Sequence, residues 1–112
     1  MALAVIGASA ETITFDDLSP VDFEPISNGY AGFDWNNFNV INGANPDNAG
    51  TGYQHGVVSS PNTAFNGYAN PASFSRAIEF TLNSLYITRA WNDGTTRFEG
   101  FNGVNSLFVL GV

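Results

Sequence analysis

A chain of 112 residues, 44% hydrophobic and only 12% charged, is long enough to bury one core and too short for two domains. Ten acids against three arginines and no lysine give a net charge of −7, which excludes the cationic footprint that nucleic-acid or anionic-membrane binding requires. With no cysteine there is no disulfide, thiolate metal site or cysteine nucleophile. Aromatic residues make up 14%, far more than disordered chains carry, and low charge beside many Gly and Asn is common in exported β-proteins.

Met1 to Ala10 is small and apolar, and Ala8-Ser9-Ala10 has the form of a signal-peptidase site. Residues 1–10 are therefore expected to be the end of a signal peptide, with residues 11–112 forming a single domain. No apolar run is long enough to cross a bilayer as a helix. Glu11 to Leu18 alternates Ile13 and Phe15 against Thr12 and Thr14, which predicts a strand ending in an acidic pair. Ser19 to Ser27, with two prolines, predicts an extended loop. Tyr30 to Val40 predicts an aromatic-rich strand, and Ile41 to Tyr53 a long Asn-, Gly- and Pro-dense loop.

Short strands are expected at Gln54 to Ser59 and Thr63 to Tyr68, then a turn or helical pinch at Asn70 to Ser75. Phe80 to Phe101 predicts a hairpin turning at Asp93-Gly94, since Asp-Gly tolerates the positive φ angles of tight loops. Its inner face would carry Leu85, Ile87, Trp91 and Phe98 in the core, with Arg89 as an inward cation needing Glu79 or Asp34. A last apolar strand is expected at Ser106 to Leu110. No helical periodicity persists, and four Asn-Gly pairs plus Asp93-Gly94 punctuate the strands. The expectation is an all-β fold, an antiparallel β-sandwich of jelly-roll type. The strands fall short of the roughly seven or eight a sandwich needs, so closing strands are expected beyond Val112. The tetrapeptide Asn-Gly-Tyr-Ala occurs at Asn28 and again at Asn66, too short to establish an internal repeat.

The blocks ITFDDL, NGYAGFDWNNFNV, GYQHGVVSS, AFNGYANPASF, FTLNSLYITRAWNDG and FEGFNG, in that order, resemble exported bacterial β-sandwich proteins of the kind that carry a PEP-CTERM sorting tail. The likeness runs from Thr12 to Gly103 and rests on block order, with no single diagnostic motif. It implies a jelly-roll-like domain at the cell surface or outside the cell. The 112 residues hold no Pro-Glu-Pro motif, anchoring helix or basic tail, so sorting by such a tail is not expected of them.

Two kinds of site can be read from the residues. Calcium takes six to eight oxygens, mostly carboxylate and carbonyl; Asp16-Asp17 with Glu11 and Asp22 supplies carboxylates at the end of the first expected strand, against the plain reading of a solvated turn. The loop at Asn45-Pro46-Asp47-Asn48, with Asp34, lacks EF-hand spacing and reads as a turn. Sugar rings stack on flat aromatics while amides and charged groups bond their hydroxyls. Tyr30, Trp35 and Tyr53, with Asn36 and Arg89, would make such a platform for an extracellular polysaccharide, unless Trp35 fills the core. His55 with Ser59 or Ser60 could be assembled into a triad, but no nucleophile elbow is present. The expectation is a secreted, non-enzymatic binding module, with a purely structural or adhesive exported domain as the alternative and a small hydrolase a distant third.

Overall fold

A computed structural model describes residues 10–112; the expected signal-peptide segment lies outside the described residues except for Ala10. The described residues are all-β and antiparallel, with one four-residue α-helix, α1 (Gly52–His55). Among them seven strands form three small sheets. β1 (Phe23–Pro25), β3 (Phe38–Asn42) and β4 (Asn62–Asn66) form the first, with β3 central. β2 (Asp34–Asn36) pairs with β5 (Ser73–Ser75), and β6 (Arg97–Asn102) with β7 (Asn105–Gly111).

The first two sheets enclose the core. Ile26, Phe33, Trp35 and Val40 are buried together, with Ile13, Phe15, Leu18, Phe38 and Phe74 against them. Trp35 is the hub of this cluster. Its ring lies 5.3 Å from Phe74, 5.6 Å from Phe38, 5.7 Å from Phe15 and 6.0 Å from Phe33, mostly edge-on, the geometry that aromatic quadrupoles favour. Its indole Nε1 donates to the Tyr30 carbonyl at 2.8 Å, so the one polar atom of the side chain is satisfied inside.

Several local expectations are corrected. Glu11 to Leu18 forms no strand; Phe15 adopts φ +64° and the Leu18 amide closes a tight turn onto its carbonyl. β1 lies instead in the stretch read as a loop. The Tyr30 to Val40 strand is split by a 3-10 turn at Tyr30–Gly32 and by Asn37, whose φ of +56° ends one strand and starts the next. Gln54 to Ser59 is not a strand: α1 takes its start.

The hairpin expected at Phe80 to Phe101 does not form. Residues 80–90 lie outside any sheet, and β6 pairs with β7 instead. Two local facts account for this. The Ala90 carbonyl is taken by the Gly52 amide at 2.9 Å, and a Cβ on Gly52 would collide with the Arg89 carbonyl, so this part of the chain docks on α1. Meanwhile Gly103-Val104 connects Asn102 to Asn105, with Gly103 at φ +59°. Gly at the first central position is what a II′ hairpin turn requires. A bulge between Gly100 and Phe101 follows, and a Cβ on Gly100 would run into the Phe108 ring. Only glycine lets that ring lie flat across the strand.

Trp91, expected in the core, is 72% exposed, and Arg89 is exposed as well. Arg89 Nη2 donates to the Val112 carbonyl at 3.1 Å, and neither Glu79 nor Asp34 pairs with it. The 80–90 segment still runs beside the β6–β7 hairpin: Asn102 donates to the Glu79 carboxylate at 3.0 Å at one end, and Arg89 reaches Val112 at the other.

Candidate functional site

The residues expected to form one aromatic platform are divided between two places. Trp35 is 9% exposed, so its faces are covered by other rings. Tyr30 is half-buried; its hydroxyl donates to Asp17 Oδ1 at 2.6 Å. Burial, with Asp17 adding to it, pushes the Tyr30 phenol up to about 12. Asn36 is exposed on β2. These three belong to the core end of the molecule.

Tyr53 and Arg89 lie elsewhere, where the 89–91 segment docks on α1. The Tyr53 ring lies edge-on to Trp91, centroids 5.8 Å apart at 87°, and is backed by Phe65 at 5.1 Å. The same stretch of chain, through Arg89 and Asp93, lines a cleft of about 300 Å³ with Ile87, Thr88, Thr96 and Val112; Tyr53 and Trp91 are not among its lining residues. It offers a guanidinium with one nitrogen committed to Val112, a carboxylate and two threonine hydroxyls. Donors and acceptors with Ile87 and Val112 among them, and an exposed indole in the same segment, are the chemistry that holds polyhydroxylated rings. Trp91 and Asp93 were outside the expected site because the Asp-Gly turn signal assigned them to a packed hairpin. The glycine at position 52, which lets the docking occur, has no sequence signature of its own.

The four expected metal ligands do not converge. Among the described residues no three His, Asp or Glu side chains sit together as a ligand set. Glu11 and Asp17 share the rim of a second cleft, of about 400 Å³, with Tyr30 and Ala31. Asp16 turns the other way: Oδ1 accepts the Asn62 amide at 2.9 Å and Oδ2 accepts the Ser59 hydroxyl. Asp22 lies beyond the turn, exposed. The Ser59 hydroxyl is thereby committed to Asp16 and not to His55.

The residue that sequence reasoning missed here is Asn62. It is 3% exposed, and its Nδ2 donates to the carbonyls of Phe15 and Leu18, both at 2.7 Å. With Asp16 it ties the Phe15–Leu18 turn to β4. A second clamp is Asn37, whose Nδ2 lies within bonding distance of the Gly67, Asn70 and Pro71 carbonyls, at 3.1 to 3.3 Å. It fixes the loop in which Tyr68 and Ala69 both hold positive φ.

No helix among the described residues is long and apolar enough to cross a membrane. Compared with known proteins, the chain matches no family model, no curated protein and no solved structure.

Proposed function

We propose that the protein is a secreted, non-enzymatic module of β-sandwich, jelly-roll-like type that binds extracellular polysaccharide through the surface formed by Tyr53, Trp91, Arg89 and Asp93. The observation that carries the reading is the exposed Trp91 set edge-on to Tyr53, in the segment whose Arg89 and Asp93 line a cleft of mixed hydrogen-bonding groups. The antiparallel β-rich chain supports the sandwich, and the block-order resemblance to exported β-proteins supports secretion.

Glycan-array binding with tryptophan fluorescence tests it. Trp35 is buried and Trp91 exposed, so a bound sugar should blue-shift only the Trp91 emission. Trp91→Ala should weaken binding at least about ten-fold, the loss typical when a central aromatic anchor is truncated. A folded protein that binds no glycan, or binds equally well without Trp91, would defeat the proposal.

A second reading, a structural or adhesive exported domain without a small ligand, is favoured by one observation: the β6–β7 hairpin leaves its apolar side chains in solvent.

A further inference from the structure

Four Asn-Gly pairs run through the chain, at Asn28, Asn42, Asn66 and Asn102. They differ in the one atom that such a pair can turn into a nucleophile, the glycine amide nitrogen. Glycine has no Cβ to shield that nitrogen, so it attacks the preceding side-chain carbonyl carbon wherever the backbone lets it approach. Three of the pairs are held against this. The Gly29 amide donates to the Phe33 carbonyl at 2.8 Å, and Asn28 Oδ1 accepts from the Trp35 amide at 2.7 Å. The Gly67 amide donates to the Asn37 carbonyl at 3.0 Å, and Asn66 Nδ2 donates to the Asn70 carbonyl at 2.8 Å. Gly43 is packed so closely that a Cβ would collide with the Tyr53 carbonyl, and Asn42 Oδ1 is sealed from solvent.

The fourth pair is open. Gly103 opens a two-residue turn between Asn102 and Asn105, outside the ladder. Among the described residues its amide meets no acceptor, and a Cβ built on it would touch nothing within 4 Å. Asn102 is exposed on the last rung of the ladder, just past the bulge at Gly100–Phe101, so it can leave the extended conformation that keeps its Cγ from Gly103. Its side chain is held by Glu79, whose Oε1 accepts from Nδ2 at 3.0 Å.

We propose that Asn102-Gly103 is a self-modifying site that deamidates ahead of the other three pairs, and that the change releases the hairpin from Glu79. The Gly103 nitrogen, losing its proton to solvent base, bonds to Asn102 Cγ as the Cγ–Nδ2 bond breaks and ammonia leaves. Water opens the resulting succinimide at either carbonyl, giving aspartate, or isoaspartate with Cβ in the main chain. In both products the amide that donated to Glu79 has become a carboxylate, which only accepts. Two like charges then face each other where one hydrogen bond stood.

Peptide mapping of the chain aged in mildly alkaline buffer tests the site. With no lysine, and arginine only at Arg76, Arg89 and Arg97, trypsin delivers Asn102 in residues 98–112 and the other three pairs in residues 1–76. In the folded chain residues 98–112 should gain the acid at least about ten-fold faster, since the other pairs must first break a hydrogen bond or their packing. In concentrated urea that difference should vanish. Fragment spectra separate Asn102 from Asn105. Asn102→Asp should speed chymotryptic cleavage within residues 80–86 several-fold, and adding Glu79→Gln, which supplies a donor again, should slow it. Residues 1–76 reacting as fast as residues 98–112 in the folded chain, or an unmodified Asn102, overturns the site; cleavage unchanged in Asn102→Asp overturns the release.

Discussion

At the scale of single residues, stability is concentrated in a few polar side chains that hold loops onto a small core. Asn62 satisfies two carbonyls at once while almost wholly buried. Replacing it by alanine leaves the Leu18 carbonyl without its partner, while the Phe15 carbonyl keeps the Leu18 amide; one orphaned carbonyl costs about 1–3 kcal/mol. Asn62→Ala should therefore lower unfolding free energy by roughly 1–3 kcal/mol in urea titrations followed by Trp35 fluorescence. An effect below about 0.5 kcal/mol, the range of ordinary surface substitutions, would show that the turn is not held from β4. Tyr30 gives a pH signature. Its phenol is raised from 10.0 to about 12, first by burial and then by the adjacent Asp17 carboxylate, which its hydroxyl bonds. A raised phenol means folding favours the neutral form, so this contribution is fully present below pH 10 and lost as pH climbs toward 12. Absorbance titration at alkaline pH should show one of the four tyrosines ionising late. Tyr30→Phe should delete that late step and flatten the stability loss over the same interval.

At the scale of elements, what the sequence made legible was composition-driven, and what it hid was partner choice. The all-β, antiparallel character followed from short apolar segments separated by Asn-Gly, and β4 and β7 lie where alternation and apolar runs indicated. The repeated Asn-Gly-Tyr-Ala forms a 3-10 turn each time but one residue out of step, Tyr30–Gly32 in the first copy and Gly67–Ala69 in the second, with positive φ at Gly29 and Ala31 in one and at Tyr68 and Ala69 in the other. Local chemistry calls for a turn there without fixing its register. It failed outright at the hairpin, where two glycine turns competed for β6. Asp93-Gly94 and Asn102-Gly103 are equally good signals, and tertiary contacts between Gly52 and Ala90 decided between them. Moving β6 from one partner to the other carried Trp91 from the core to the surface and so moved the candidate site. Asn37 is another case. Nothing in the run DWNNF marks the second asparagine as the one that adopts the left-handed conformation, splits the strand and clamps the loop at Gly67–Pro71.

At the scale of the molecule, the chain is long and unevenly packed. Its extents are 60 × 29 × 21 Å and its radius of gyration is 16.0 Å, against about 13 Å for a compact domain of this length. Among the described residues only five hydrophobic side chains are buried, all in the stretch Ile26 to Ile41, and the β6–β7 hairpin contributes none of them. Local unfolding free energies should therefore fall into two tiers. Residue-resolved hydrogen exchange should find Val40 and Ile41, on the central strand β3 over the core, among the slowest amides. The hairpin should exchange faster, but in an alternating pattern: Phe108 and Leu110 are bonded to β6, whereas the Val109 amide faces solvent. Alternation of this kind is a property of a strand with one open edge. Val109 as protected as its neighbours would show instead that this edge is covered and that the ladder is not one-sided.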